Sequence, residues 1–155
     1  MAASSDSAGC NESTGSNSVG DECGYGLAEL VLRNSLTALV VDGTVGRLIA
    51  NYMLESVDVE TKMVVSGQEA LELTGAHYDL ILVDRYMSDM SGVETIRQMR
   101  QRGVRSKIIG LTSGEIETDR VEMMNAGADG CLKRPLSEEA LADILAEIDY
   151  EIDHR

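Results

Sequence analysis

The chain has 155 residues, enough for one domain and a tail, and a formal net charge of −14 at pH 7. Such an acidic chain lacks the basic face that nucleic acid binding requires, so we expect no nucleic acid partner. It has neither an apolar run long enough to span a bilayer nor a signal peptide pattern, so we expect no membrane partner. Its three cysteines show no C-x-x-C spacing, which argues against a zinc site or disulfide framework and favours a reducing, intracellular location.

The first 34 residues are predicted to be disordered or linker-like. They are rich in Ser, Gly, Asn, Asp and Glu, and large apolar residues are almost absent before Leu27. The leucines and the valine of residues 27–32 either form one short amphipathic turn or remain linker. We place the folded domain at residues 35–150 and a tail at residues 151–155. A chain that begins near Asn34 is therefore expected to melt within a few degrees of the full chain.

One stretch, Tyr78 to Asp84, predicts a buried strand. Its residues Leu80 to Val83 form a continuous apolar block, which is typical of a parallel strand buried on both faces. Asp84 follows at the end of this strand and precedes a loop-like composition. Because ligands of open α/β sheets bind beyond the carboxyl ends of the strands, Asp84 is placed either for chemistry or for capping a turn.

Four further strand-like stretches also end in polar or turn-forming residues. They run over residues 36–41, 59–65, 107–111 and 129–132, and helical patterns separate them. Five βα units predict an α/β fold, a doubly wound five-stranded parallel sheet of the flavodoxin-like kind. Asp42, Asp84, Thr112 and the pair Lys133 and Arg134 then meet at the carboxyl edge of the sheet.

The helices are predicted from apolar spacing and from serines that can cap their first turns. The first helix is expected from Thr44 to Ser56, and its core-facing stripe is predicted to consist of Val45, Leu48, Ile49, Tyr52 and Met53. Ser66 with Glu69 resembles a capping box. Ser91 and Ser137 are the predicted caps of the third and the last helix, and Gly127 is the expected stop of the fourth.

Together these residues resemble the receiver domain of response regulators. The resemblance covers about residues 36–148 and is carried by motifs in order: Leu39-Val40-Val41-Asp42, Tyr78 to Met87, Gly92, Ile108 to Thr112, Ala126 to Asp129, and Pro135-Leu136. The Asp-Gly pair after the first strand and the Cys-Leu-x-x-Pro-Leu stretch make it similar to the small stand-alone plant response regulators of cytokinin phosphorelays.

The resemblance implies a site built around a phosphoacceptor. Asp84 matches the aspartate that takes a phosphoryl group from a phosphohistidine on a histidine phosphotransfer protein or histidine kinase. Asp42, Asp84 and the backbone carbonyl of Tyr86 match the ligands of a Mg²⁺ ion. Thr112 and a cation from Arg134 or Lys133 match the groups that contact the phosphoryl oxygens. The implied protein is a monomeric signalling domain, not an enzyme beyond its own phosphorylation, located in the cytoplasm, the nucleus or both.

Two departures from the family pattern affect the implied site. The family carries two adjacent acids after the first strand, whereas this chain has Asp42 followed by Gly43. By strand alignment Gly43 replaces the second acid; counting back from Arg47 instead places Val41 where the first acid belongs. Either register removes one carboxylate, so Mg²⁺ is expected to bind weakly. Arg134 stands at the position of a lysine, and an arginine fork is not equivalent to an ammonium.

Two functions of different classes remain open from the sequence. The first is phosphoacceptor signalling through Asp84, which the presence of Asp84 and Thr112 favours. The second is a pseudo-receiver, a protein-interaction module that needs no phosphate, which the missing acid and Arg134 favour.

Overall fold

A computed structural model describes residues 26–155 as alternating strands and helices. The strands are β1 (Thr37–Val41), β2 (Glu60–Val64), β3 (Leu80–Asp84), β4 (Lys107–Thr112) and β5 (Gly130–Lys133). The helices are α1 (Gly46–Glu55), α2 (Gly67–Glu72), α3 (Gly92–Gln101), α4 (Ile116–Ala126) and α5 (Glu138–Asp153). All strand pairs are parallel, in the order β2-β1-β3-β4-β5. The predicted (βα)5 fold is thus confirmed.

Strand β3 lies at the centre of the sheet, and all five of its residues are buried. Alternate side chains enter two separate cores. Leu80 and Leu82 pack in the core that includes α1 and α5 residues, whereas Ile81 and Val83 pack with residues of α2, α3 and α4. Burial on both faces explains why the strand reads as an unbroken apolar run.

The predicted serine caps all form. The hydroxyl oxygens of Ser66, Ser91 and Ser137 accept hydrogen bonds from backbone N–H groups three residues on, at 3.1 to 3.2 Å. Each bond satisfies one of the unpaired donors in the first turn of a helix. Gly127 ends α4 with a φ of 122°, a conformation that favours glycine.

The predicted buried stripe of α1 is wrong except for Met53. The helix buries Ala50, Met53 and Leu54. Four apolar residues of the predicted stripe are instead exposed, by 52 to 76% of their surface: Val45, Leu48, Ile49 and Tyr52. Apolar spacing identifies a stripe, but the small Ala50 allows the opposite side of this helix to approach the sheet. We call these four residues the α1 face.

The predicted boundaries of the domain also need correction. Residues 26–34, expected to be linker-like, pack on the domain through a 3-10 helix at Leu27–Glu29, and Leu27 is 6% exposed within the core. The backbone N–H groups of Arg33 and Asn34 donate to the Asp149 carboxylate at 2.7 and 2.9 Å. Helix α5 continues to Asp153, beyond the predicted start of the tail. The prediction of disorder for residues 1–25 falls outside the described residues.

Among residues 26–155, no helix is both long enough and apolar enough to cross a membrane.

Candidate phosphoacceptor site

The carboxyl ends of β1, β3, β4 and β5 bring the predicted polar residues to one edge of the sheet. Val41 pairs with Val83, so the next residues, Asp42 and Asp84, lie side by side at the ends of neighbouring strands. Thr112 at the end of β4 pairs with Lys133 at the end of β5. Parallel alignment places these strand ends side by side because all carboxyl ends point the same way.

Asp84 is a buried carboxylate with contacts to both oxygens. Its side chain is 8% exposed. Oδ1 accepts from Nε of Arg134 at 3.2 Å, and Oδ2 accepts from the Tyr86 N–H at 3.3 Å. Burial raises the pKa of Asp84, Asp42 adds to this, and Arg134 and the Tyr86 N–H oppose it; the pKa remains above its usual value.

Asp42 is fully buried and lies opposite Asp84 across Arg134. Its Oδ1 accepts from the N–H and the hydroxyl of Thr44 at 2.8 and 2.7 Å. Its Oδ2 accepts from Nη2 of Arg134. The Asx-type turn to Thr44 holds the carboxylate at the end of β1 and leaves Oδ2 aimed at the guanidinium.

Arg134 joins the two acids. Nη2 lies 3.1 Å from Asp84 Oδ1 and also contacts Asp42 Oδ2. The side chain is 19% exposed, and its backbone N–H donates to the Thr112 carbonyl at 2.7 Å. The planar fork of an arginine suits such a bridge between two carboxylates.

Lys133 points away from the acids. Its Nζ donates to the carbonyls of Gly114 and Ser113 at 2.5 and 3.4 Å. Adjacent residues of an extended strand face opposite sides, so Arg134 enters the pocket and Lys133 does not. Of the two predicted phosphoryl-contacting cations, the structure brings only Arg134 to Asp84.

Thr112 is fully buried, and its hydroxyl is engaged elsewhere than at Asp84. It donates to Asp119 Oδ2 at 2.5 Å and accepts from the Gly114 N–H at 2.9 Å. Asp119 Oδ1 in turn accepts from Nε of Arg85 at 2.9 Å. Neither Asp119 nor Arg85 was predicted from the sequence. An acid in the first turn of a helix, such as Asp119, is ordinary there, and an arginine in the loop after a strand, such as Arg85, signals no particular partner.

The environment of the β1 end favours one of the two registers for the missing acid. Val41 is fully buried within an apolar cluster with Val64, Ala70 and Val83, so a carboxylate there would lose its hydration. Gly43 is exposed, and a side chain at this position would meet the Val65 carbonyl at 3.1 Å. The structure therefore favours Gly43 as the position of the lost carboxylate.

The residues present do not suit a Mg²⁺ ion as they stand. The predicted ligands include only two carboxylates, and all four of their oxygens already accept hydrogen bonds from protein groups. No cluster of three or more His, Cys, Asp or Glu side chains that could hold a metal ion occurs within residues 26–155. Mg²⁺ prefers oxygen ligands that are free to complete an octahedron.

The known proteins that this chain resembles in sequence and in structure are receiver domains and response regulators. A family described as the response regulator receiver domain matches residues 38–146. Two-component response regulator 24 of Arabidopsis thaliana is 34% identical over 122 residues, which cover 77% of this chain and 88% of the relative. The receiver domain of the histidine kinase CKI1 from Arabidopsis thaliana, solved with Mg²⁺ and BeF3⁻, is 29% identical with a TM-score of 0.65, and the match covers 74% of this chain and 90% of that one.

A third comparison shows the fold alone. The receiver domain of Ssk1 from Saccharomyces cerevisiae, crystallised with the histidine phosphotransfer protein Ypd1, is 23% identical with a TM-score of 0.69. The match covers 75% of this chain and 90% of that one.

Proposed function

The chain belongs to the response regulator receiver domain family, and on that premise we propose that Asp84 accepts a phosphoryl group from a phosphohistidine on a partner protein. The observation that carries the proposal is the position of Asp84, a carboxylate at the end of the central strand beside a second acid and a guanidinium.

The chemistry is a direct transfer between two side chains. One carboxylate oxygen of Asp84 attacks the phosphorus, and the new P–O bond forms as the P–N bond to the imidazole breaks. The imidazole nitrogen keeps the electron pair and takes up a proton from solvent. Such a reaction depends on positioning and on stabilising the phosphoryl charge, and the Arg134 fork beside Asp84 supplies a positive charge for that purpose.

The α1 face is the proposed docking surface for the partner. Its four apolar side chains are exposed together, and an exposed apolar patch of this kind usually marks an interaction site. A groove of about 370 Å³ extends from this face to Arg134, since Val45 and Ile49 line it together with Arg134 and Pro135. A helical protein that lays an apolar face here brings a phosphohistidine towards Asp84. The histidine phosphotransfer protein bound to the Ssk1 receiver offers a precedent at the level of the fold.

We further propose a weak Mg²⁺ site and slow turnover. Because Arg134 contacts both carboxylates, few carboxylate oxygens remain to bind a divalent ion. Phosphorylation of Asp84 is therefore expected to be slow. Metal assists hydrolysis of an acyl phosphate, so a phosphate that reaches Asp84 is expected to be long-lived.

The biological setting is also a proposal. The relative from Arabidopsis thaliana supports a role in a plant phosphorelay, and we place it in cytokinin signalling in the cytoplasm, the nucleus or both. A monomer is the expected form.

The second candidate function is a pseudo-receiver that works without phosphate. The observation that favours it is the engagement of Asp42, Asp84 and Thr112 with other side chains of the chain itself. In this case the α1 face binds its partner in the same way, but no covalent step follows.

Transfer of labelled phosphate separates the two functions. The chain is incubated with a phosphorylated histidine phosphotransfer protein, and acid-stable, base-labile label is followed. Asp84→Asn should lose the label, because an amide cannot form an acyl phosphate. Asp89→Asn is the matched control: Asp89 follows the same strand, and its carboxylate accepts hydrogen bonds from the backbone N–H groups of Gly67 and Gln68. Label retained by Asp84→Asn would refute Asp84 as the acceptor, and no label on the unaltered chain would favour the pseudo-receiver.

Docking is tested separately by binding affinity. Ile49→Ser should weaken partner binding about tenfold or more, the scale of an interface hot spot. Val121→Ser, on the equally exposed Val121 of α4, should leave binding unchanged. Equal effects of both variants would exclude the α1 face as the docking surface.

A further inference from the structure

We infer that the Arg134 guanidinium is the resident cation of this site: it occupies the place between Asp42 and Asp84 and makes the site independent of divalent metal ions. The inference about metal binding stands on the described contacts alone. Its consequence for phosphoryl transfer rests on the proposed function.

The contacts of Arg134 are those of a cation shared by two acids. Nε and Nη2 lie 3.2 and 3.1 Å from the same oxygen of Asp84, and Nη2 also reaches Asp42. The two carboxylates are 1% and 8% exposed, so their mutual repulsion is poorly screened by water. The guanidinium lies between the two carboxyl groups and contacts both, so its positive charge offsets this repulsion.

The remaining carboxylate oxygens are satisfied without a metal ion. Thr44 donates twice to Asp42 Oδ1, and the Tyr86 N–H donates to Asp84 Oδ2. A Mg²⁺ ion would have to displace Arg134 and also give up part of its hydration shell, which it does reluctantly. The site therefore offers a divalent ion no free carboxylate oxygen.

Gly46 is a second, independent observation that the guanidinium belongs in this place. Gly46 opens α1, and a Cβ added there would collide with Nη1 of Arg134 and lie 3.0 Å from Asp42 Oδ2. The absence of a side chain leaves the space that the arginine fork fills. The backbone of Arg134 is held as well, by the 2.7 Å hydrogen bond to the Thr112 carbonyl.

During phosphoryl transfer the Arg134 guanidinium also stabilises the negative charge of the phosphoryl group. Its delocalised charge and its fork of N–H donors match phosphoryl oxygens as well as carboxylates. When Asp84 gains a phosphoryl group, the negative charge is carried by the phosphoryl oxygens, which lie farther from the Asp84 backbone. The Arg134 guanidinium can then contact these oxygens. No other co-reactant is needed beyond the phosphohistidine donor.

The first test measures Mg²⁺ binding by calorimetry on the unphosphorylated chain. Arg134→Gln should bind Mg²⁺ at least about tenfold more tightly than the unaltered chain, the scale on which groups around a metal site act. Lys133→Gln is the matched control, because it removes one positive charge from the adjacent residue without touching either acid. Tighter binding in Arg134→Gln alone supports the inference. Tight binding by the unaltered chain, or an equal gain in both variants, overturns it.

The second test follows label transfer from a phosphorylated histidine phosphotransfer protein with Mg²⁺ and with EDTA. The unaltered chain should be labelled at similar rates in both, whereas Arg134→Gln should depend on Mg²⁺. Labelling of the unaltered chain that EDTA abolishes would overturn metal independence. If no chain is labelled under either condition, the proposed function fails, and the calorimetric result still decides whether Arg134 excludes the metal ion.

Discussion

The Thr112 hydroxyl donates a hydrogen bond to the buried carboxylate of Asp119, 2.5 Å away, and Arg85 holds the other oxygen of that carboxylate. The residue that matches the phosphoryl-contacting hydroxyl of the family is thus tied to helix α4. Under the proposed function, a phosphoryl group on Asp84 would have to compete with Asp119 for this hydroxyl. The strength of the Asp119 contacts therefore bears on both stability and response.

Replacing Asp119 should destabilise the domain. Asp119→Asn removes a 4% exposed acid from Thr112 and Arg85, and we expect the free energy of unfolding to fall by about 1–3 kcal/mol, the cost of disturbing a buried charged hydrogen bond. Glu122→Gln, which removes the half-exposed partner of Arg85, should cost less than about 1 kcal/mol. Urea denaturation measures both. Equal costs would mean that the buried contacts contribute nothing beyond a surface ion pair.

The segment before β1 should contribute to stability, contrary to the expectation from composition. A chain that begins at Ser35 loses the buried Leu27 and the hydrogen bonds to Asp149, and we expect a loss of about 2–4 kcal/mol. A chain that begins at Gly26 should melt as the full chain does. Thermal unfolding compares the three. A Ser35 chain as stable as the full chain would restore the original domain boundary.

Asp149 should make part of this stability depend on pH. Burial raises the pKa of Asp149, but hydrogen bonds from Arg33 and Asn34 outweigh it, and the pKa lies below its usual value. A lowered folded-state pKa stabilises the protein above the unfolded value of about 4 and loses that contribution as pH falls through the folded value. Asp149→Asn should therefore cost about 1–3 kcal/mol at neutral pH and progressively less below about pH 4.

Denaturation at neutral and acid pH, with Asp153→Asn as control, checks this prediction. Asp153 pairs with the largely exposed Arg33 side chain, so its replacement should cost less than about 1 kcal/mol. A cost for Asp149→Asn that is the same at both pH values would show that ionisation of this group does not matter.

The position of the missing acid can be tested by stability alone. Val41→Asp places a carboxylate in an apolar cluster and should lower the free energy of unfolding by several kcal/mol, since such a charge has no partner there. Gly43→Asp lies at an exposed position, and we expect it to fold with a loss below about 2 kcal/mol. Circular dichroism in urea measures both. A stable Val41→Asp with an unstable Gly43→Asp would reverse the register.

The sequence by itself determined the strands, the caps and the edge of the sheet where the site lies. These follow from local patterns: an unbroken apolar run signals a strand buried on both faces, and a serine three residues before a free N–H can cap a helix. Asp42, Asp84 and Thr112 each end a strand, so their meeting required only that the strands be parallel.

Only the tertiary structure decided which way the side chains turn and what they meet. Periodicity located an apolar stripe on α1 but not whether that stripe or the side with Ala50 and Leu54 faces the sheet. The partners of Arg134 come from residues 92 and 50 positions away, and Lys133, one residue earlier, turns to a loop instead. Such contacts depend on the packing of segments that are distant in the sequence, and the local pattern around each residue does not predict them.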